Sequence, residues 1–280
     1  MLDILLDTII DGIKLLPFLF LAYLIIELIE NKAGEKTTKF IQKSGKFGPV
    51  LGSLLGIVPQ CGFSAAASNL YAGRIITLGT LISIFLSTSD EMLPILISES
   101  VPASIIIKIL LIKVFIGMIA GVIVDLFVRH KELENKDDIH KLCHDEHCHC
   151  DESGILKSTI KHTIQIFIYI FIISLILNYA IHFIGEEQLA NLIVSVPILG
   201  IAISALIGLI PNCASSVLLT QLYLENILSM GTMIAGLLVN SGIGVLILFK
   251  VNKNKKENFS ILGILYIVGI VSGIVLDFIL

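Results

Sequence analysis

The sequence matches itself without gaps when it is shifted by 152 residues. The match is clearest at two interruptions of apolar segments, GIVPQCGFSA from Gly56 and GLIPNCASSV from Gly208, where glycine, proline and cysteine recur in register. Other identical residues at this offset are also tyrosine, glycine and aspartate rather than aliphatic residues: Tyr71 and Tyr223, Gly79 and Gly231, Gly117 and Gly269, Gly121 and Gly273, Asp125 and Asp277. Residues 1–128 and 153–280 are therefore predicted to be two copies of one structural repeat, joined by a linker at 129–152.

Both copies contain apolar stretches long enough to cross a lipid bilayer, at Ile9–Ile29, Ile105–Val128, Ile164–Phe183 and Ile261–Leu280. Each reaches the roughly 20 residues that a helix needs to span the hydrocarbon core. The chain is 55% hydrophobic and only 15% charged, with a mean hydropathy of +0.94. A soluble domain of this length needs more polar surface than that. We therefore expect an all-α integral membrane protein with the lipid bilayer as its partner.

Lysines mark opposite loops in the two copies. Lys32, Lys36, Lys39, Lys43 and Lys46 follow the first span, whereas the matching loop of the second copy, Gly185–Leu199, has no lysine. Conversely, Lys250, Lys253, Lys255 and Lys256 precede the last span, and the matching region Glu99–Ser104 has none. Because basic loops stay on the cytoplasmic side, the repeats are predicted to be inverted in the cytoplasmic (inner) membrane. The linker would then be cytoplasmic and both termini would lie outside.

An inverted repeat requires an odd number of crossings, yet each copy has four apolar blocks, in the first copy 8–30, 48–72, 75–98 and 105–128. Pro59 lies at the centre of the second block, where proline breaks the helical hydrogen-bond ladder. Two half-helices of about 11 residues reach about 16 Å each. This block is therefore predicted to be a re-entrant helix pair, or else two split crossings. Inverted repeats whose discontinuous helices meet at mid-depth are a design of transporters.

A second interruption follows in each copy, SIFLSTSDEMLP at 83–94 and LLVNSGIGVL at 237–246. An ionisable residue inside a membrane segment costs roughly 2.5–3.5 kcal/mol, so it is treated as functional by default. The predicted substrate pathway comprises Pro59, Gln60, Cys61, Ser89, Asp90, Glu91, Pro211, Asn212, Cys213, Asn240 and Ser241. The alternatives are that the cysteines only fill apolar space and that the two carboxylates reach the aqueous edge.

The linker carries a dense run of metal-ligand side chains, HKLCHDEHCHCDE at 140–152. The candidate ligands are His140, Cys143, His144, His147, Cys148, His149 and Cys150. Thiolate and imidazole together suit Zn(II), Cu(I), Ni(II) or Co(II). Because the spacing is not that of a zinc finger, the pattern indicates a flexible metal-capturing tract, with a merely solvated polar linker as the alternative.

Several functional classes are excluded or left open by the sequence. It contains no phosphate-binding G-x-x-x-x-G-K-[ST] loop and no soluble region large enough for an ATPase. We expect neither an enzyme nor a nucleic-acid partner, and no tightly bound cofactor, with a transition-metal ion as substrate or linker ligand. The oligomeric state, monomer or homo-oligomer, stays open.

Three segments, Lys43–Pro94, Cys143–Cys150 and Gly208–Gly242, resemble a family of ten-span heavy-metal exporters that is related to arsenic permeases and also described as manganese transporters. The resemblance covers essentially the whole chain and implies export of metal or metalloid ions across the cytoplasmic membrane. More distant organoarsenical permeases carry Pro-x-Cys-x-Cys-Gly at the position that corresponds to the helix interruption at Pro59. Here the stretch is Pro59-Gln60-Cys61-Gly62, with one cysteine.

The two types of candidate ligand favour different metal ions. Soft thiolates favour As(III), Cu(I) or Zn(II), whereas Asp90, Glu91 and backbone carbonyls favour Mn(II). We therefore expect a secondary transporter that exports manganese or a related heavy metal. The alternatives are an arsenite or organoarsenical efflux permease and, in another class, a metal-sensing membrane protein.

The predicted topology can be tested with a membrane-impermeant thiol reagent on intact cells. Because the lysine distribution predicts a cytoplasmic linker, Cys143, Cys148 and Cys150 should stay unlabelled until the cells are permeabilised. Labelling of these cysteines in sealed cells would contradict the inverted arrangement.

Overall fold

The computed structural model describes residues 9–10, 13, 16–17, 19–21, 23–24, 47–58, 61–89, 91–132, 155–184 and 197–279. Within these ranges the chain forms helices and short turns, without a β-strand. The predicted span Ile9–Ile29 lies largely outside the described residues, although those that are described between 9 and 24 are helical. The all-helical prediction is thus confirmed for the part of the chain that the structure describes.

Each repeat contains broken and unbroken helices. In the first copy, the helices with described bounds are α1 (Gly48–Leu55), α2 (Cys61–Ala72), α3 (Leu78–Ser87), α4 (Met92–Ser98) and α5 (Ala103–Glu132). Those of the second copy are α6 (Ile155–Ile184), α7 (Pro197–Gly208), α8 (Cys213–Leu224), α9 (Met230–Val239), α10 (Gly244–Val251) and α11 (Lys255–Ile279). At an offset of 152 residues, α2 matches α8 and α3 matches α9 at both ends, and α5 matches α11 at its start.

Among the described residues, five helical stretches are long and apolar enough to cross a membrane: Leu78–Ser98, Ala103–Phe127, Thr159–Ile176, Met230–Val251 and Lys255–Ile279. The first and fourth consist of α3 with α4 and of α9 with α10, and they are mostly buried within the protein. The other three, in α5, α6 and α11, are largely unburied and expose apolar side chains, among them Phe115 and Phe278. A lipid environment suits such a surface, since apolar faces of this size are unusual in soluble monomers.

In both copies, an aspartate in the C-terminal part of one helix caps the start of another helix. The Asp125 carboxylate of α5 accepts hydrogen bonds from the Gly79 N–H at 2.8 Å and the Thr77 hydroxyl at 2.7 Å. In the second copy Asp277 accepts the equivalent bonds from Gly231 and Ser229, both at 2.9 Å. A carboxylate satisfies the N–H groups that a helix start leaves without partners, and it complements the positive end of the helix dipole.

Glycines allow the capped helices to approach closely. A Cβ atom at Gly121 of α5 would lie 2.5 Å from the Gly79 carbonyl oxygen of α3. A Cβ atom at Gly273 of α11 would lie 2.9 Å from the Gly231 oxygen and 2.7 Å from the Cβ of Ala235 in α9. Helices pack in membranes largely through such small residues, because apolar burial adds little driving force in lipid. The duplication therefore extends from sequence to packing.

The first half-helix of each copy runs alongside the next broken helix in the same direction. Along α1 and α3, Gly48 lies against Thr80, Gly52 against Ser83 and Gly56 against Ser87. In the second copy the Ser204 hydroxyl of α7 donates to the Thr232 carbonyl of α9 at 2.8 Å, and Gly208 lies against Gly236. The intervening helices α2 and α8 therefore return the chain to the starts of α3 and α9.

The close helix contacts predict a position-specific cost for added side-chain volume. Gly121→Ala and Gly273→Ala should each lower the free energy of unfolding by about 1–3 kcal/mol, because overpacking forces the helices apart. Gly263→Ala on the same helix as Gly273 is the control, since a Cβ there meets no atom within 4 Å. Thermal unfolding in detergent micelles should show lower Tm for the first two variants only. An equal Tm for Gly273→Ala and Gly263→Ala would contradict this packing.

Candidate functional site

In the first copy, a hydrogen bond connects the turn between α3 and α4 with the turn between α1 and α2. Helix α3 ends at Ser87, and the buried Ser89 hydroxyl donates to the Ile57 carbonyl at 2.6 Å. Glu91 stands half-buried immediately before α4. The serine thus partners a carbonyl that the broken helix leaves without its regular bond.

In the second copy, the corresponding two turns are joined by asparagines. The Asn240 amide donates to the Asn212 carbonyl at 3.5 Å, and its side-chain oxygen accepts from the Gly242 N–H at 2.8 Å. Asn212 in turn caps α8, accepting from the Ala214 N–H at 2.9 Å. Both asparagines are buried, as is Ser241. These residues satisfy the open backbone groups at two helix breaks.

The structure brings several of the predicted pathway residues together. Ser89 lies beside the first break of its own copy, and Asn240 bonds across to Asn212. Pro211 is in the bend before α8, and Cys213 is the half-buried first residue of that helix. In the described part of α8, the Ser215 hydroxyl is also buried and has no hydrogen-bond partner.

Other predicted residues lie outside what the structure describes. Pro59, Gln60 and Asp90 are outside the described residues, and of Cys61 only the backbone position at the start of α2 is given. The seven linker ligands between His140 and Cys150 are outside as well. No cluster of three or more His, Cys, Asp or Glu side chains occurs among the residues that are described. The proximity of Cys61 to Cys213 and the linker metal site both stay predictions.

The two copies also meet at the centre of the protein. The Ser68 hydroxyl of α2 donates to the Gly244 carbonyl at the start of α10 at 2.7 Å. A Cβ atom at Gly244 would lie 2.8 Å from the Ser64 Cβ and 2.9 Å from the Phe85 ring of α3. Only a glycine allows the α10 backbone to come this close, so the second break of one copy packs against the half-helices of the other.

A buried lysine in α5 is a site residue that the sequence analysis missed. Lys113 is 1% exposed, and its ammonium donates to the Thr88 carbonyl after α3 and to the Leu237 carbonyl of α9 at 3.0 Å. Its position inside an apolar span was itself a signal. The comparison of the two repeats did not point to Lys113, because the equivalent residue of the second copy is Leu265.

A second polar cluster ties the copies at one end of the protein. Arg74, in the turn before α3, pairs with Glu257 in the first turn of α11, with N–O distances of 2.9 and 3.2 Å. The Tyr71 hydroxyl also donates to Glu257, and the guanidinium lies 5.2 Å from the centre of the Tyr71 ring. The hydrogen bonds to Glu257 raise the pKa of Arg74 above its ordinary value. The start of α11 is thereby held beside the turn between α2 and α3.

These features define a multi-pass integral membrane protein in which polar helix breaks gather inside an apolar helical body. A sequence profile of the family described as "Putative, 10TM heavy-metal exporter" matches residues 1–184 and 155–280, which together cover the chain. The chain belongs to this family, which confirms the resemblance inferred from the sequence. The sequence of this chain matches no curated protein and no solved structure.

The hydrogen bond from Asn240 to Asn212, which connects the two helix breaks of the second copy, predicts a loss of stability when Asn240 is replaced. Asn240→Ala would leave the Gly242 N–H without its acceptor inside the protein, at a cost of about 1–3 kcal/mol. Gln221→Ala, which removes an exposed amide from α8, is the control. We expect a lower Tm in micelles for Asn240→Ala only, together with reduced transport at equal membrane abundance. Parent-like values of both quantities would contradict a structural role of this bridge.

Proposed function

We propose that the protein is a secondary transporter that exports metal ions, Mn(II) or a related divalent heavy metal, across the cytoplasmic membrane. The observation that supports this most is the convergence of the interrupted segments on the buried interior, through Ser89, Asn212, Asn240 and Lys113. Irregular backbone at membrane depth is tolerated only where protein or a water-filled cavity surrounds it. Membership of a heavy-metal exporter family supports the substrate class.

An inverted orientation of the repeats is supported by two contacts. The Asp125 bond to Thr77 places the end of α5 beside the turn that precedes α3. The ion pair of Arg74 with Glu257 places the start of α11 beside the same turn. The equivalent helices α5 and α11 would then begin at opposite faces of the membrane, as the lysine distribution predicts.

Re-entrant helix pairs are supported by the direction of the half-helices. Since α1 advances beside α3 from Gly48 to Gly56, its tip lies level with the end of α3 at Ser87. That level is halfway along the candidate span Leu78–Ser98. We infer that α1 with α2, and α7 with α8, enter the membrane to mid-depth and return to the face from which they entered.

The basic residues near Arg74 indicate which end of the protein faces the cytoplasm. We call the end of the protein that contains the Arg74–Glu257 pair the Arg74 end. Lys250, Lys253, Lys255 and Lys256 lie at the end of α10 and the start of α11, next to the Arg74–Glu257 pair. Because cytoplasmic loops carry the excess of lysine and arginine, we assign this end to the cytoplasm. The linker follows α5 at the same end, where its cysteines and histidines would collect metal ions for export.

The described groups at the helix breaks are mainly oxygen donors: backbone carbonyls, asparagine amides and serine hydroxyls, with one thiol at Cys213. Oxygen donors suit Mn(II), whereas a thiolate suits softer ions. Arsenite or organoarsenical efflux is the second candidate, and Cys213 at the break favours it. A sensor function has less support, because a membrane anchor alone does not require paired broken helices.

An element-resolved accumulation assay tests this proposal in cells that express the protein. Cells are loaded with Mn, Zn, Cu, Co, Ni or arsenite, and their content is compared with that of cells carrying an empty vector. We expect lower manganese, or lower content of one related divalent metal, in the expressing cells. Unchanged content of every element would contradict the proposed function, and a decrease confined to arsenite would favour the second candidate.

Three substitutions separate the thiolate ligands from the carboxylate ligand in the same assay. Cys213→Ser, and equally Cys61→Ser, should impair export of soft ions more than of Mn(II), because a hydroxyl replaces a polarisable sulfur. Asp90→Asn should show the opposite bias, since it removes a negative charge that favours a hard divalent cation. Parent-like export of every ion by all three variants, at equal membrane abundance, would contradict this placement of the site.

A further inference from the structure

Four lysines form an exposed cluster around the turn between α10 and α11. Lys250 lies in the last turn of α10, Lys253 lies in the connection, and Lys255 and Lys256 begin α11. All four side chains are exposed. We call these four residues the lysine cluster.

The lysine cluster outnumbers the acidic groups of its own segment. Glu257 is the only acidic residue between positions 226 and 276, and its carboxylate is paired with Arg74. Lys255 and Lys256 also occupy the first turn of α11, where the positive pole of the helix dipole disfavours cations. An anion bound beside the cluster would offset both effects.

The repeat forms the same turn without these charges. In the first copy, the turn between α4 and α5 carries uncharged residues at all four equivalent positions: Ser98, Val101, Ala103 and Ser104. The lysine cluster is therefore not needed to build the turn, and it distinguishes one end of the protein from the other.

An exposed aromatic side chain borders the cluster on α11. Phe259 is 63% exposed, and it lies one turn after Lys255 and Lys256, so the three residues share one face of the helix. The Phe259 ring packs edge-on against Phe249 of α10, with 5.4 Å between the ring centres. The exposed apolar face of α11 continues from Phe259 to Ile267. The cluster thus stands at the edge of an apolar surface that suits lipid.

Lys250 extends the cluster to α6. Its ammonium lies 5.0 Å from the centre of the Tyr169 ring. The face of a ring attracts a cation without neutralising it, so Lys250 keeps its charge for an anionic partner. Tyrosine rings and long basic side chains are typical of the level at which a membrane meets water.

We propose that the lysine cluster and Phe259 bind an anionic phospholipid, with its headgroup phosphate at the ammonium groups and an acyl chain along the exposed face of α11. A free phosphate would use the lysines alone, whereas a phospholipid also covers the apolar face beside them. The cytoplasmic leaflet, to which we assign this end of the protein, is the leaflet that carries the negative surface potential. This site does not depend on which ion the protein transports.

Binding of labelled lipid to the purified full-length chain in detergent micelles tests this proposal. The probe is phosphatidylglycerol with a fluorescent label, and phosphatidylcholine with the same label measures apolar binding alone. The lysine variants are Lys256→Gln, the double variant Lys255→Gln with Lys256→Gln, and the double variant Lys255→Arg with Lys256→Arg. Lys108→Gln, which removes an exposed lysine from α5, is the control.

We expect the parent to bind phosphatidylglycerol more tightly than phosphatidylcholine, with a smaller difference in about 1 M salt because salt screens exposed charges. Lys256→Gln should weaken phosphatidylglycerol binding about fivefold and the double glutamine variant about 30-fold, since each lysine near a membrane surface adds a similar attraction. The double arginine variant keeps both charges, so it should bind like the parent, as should Lys108→Gln.

Equal affinity of the parent for the two lipids, or parent-like binding of phosphatidylglycerol by the double glutamine variant, would overturn the proposal. Displacement of the labelled lipid by inorganic phosphate at matching concentration would overturn it in favour of a free anion. A lower Tm of the double glutamine variant in lipid-free micelles, with unchanged lipid binding, would overturn it in favour of the acidic linker at 129–152. Metal export is tested separately by the accumulation assay, so failure of the two proposals can be distinguished.

Discussion

Every other feature of this protein depends on the need to satisfy backbone polar groups where helices break inside an apolar body. Lipid offers no hydrogen bonds, so each open carbonyl or N–H must find a partner within the protein. The first copy meets this need with the Ser89 bond to Ile57, and the second with Asn212 and Asn240. Lys113 then bonds to one carbonyl from each copy. Under the proposed function, the groups that allow the helices to break are also the polar groups that an ion would meet.

The surrounding helices hold these breaks in the protein interior. Asp125 and Asp277 fix the starts of α3 and α9, and glycines on α5 and α11 allow close helix packing against them. The segments α3–α4 and α9–α10 are mostly buried, while α5, α6 and α11 present apolar side chains outward. At the Arg74 end, the pair with Glu257 joins the two copies through a charged contact.

The sequence predicted the parts of this structure that carry a local signal. The offset of 152 residues anticipated matching bounds for α2 and α8 and for α3 and α9, and the Pro-containing stretch anticipated the break before α2. Lys113 was missed because the Thr88 and Leu237 groups that it bonds are backbone carbonyls, which have no side-chain signature, and because its equivalent is Leu265. The bond between Asn212 and Asn240 depends on how two turns pack, which spacing along the chain does not determine.

The central claim is that the breaks of both copies form one metal-ion site in the membrane interior. The most direct test is the position of the metal itself, measured by anomalous X-ray scattering at the manganese edge from crystals of the protein grown with Mn(II). We predict a peak beside the Thr88–Ser89 turn and the end of α9 at Leu237–Asn240. A peak confined to the linker ligands between His140 and Cys150, with none in the helical body, would contradict the account.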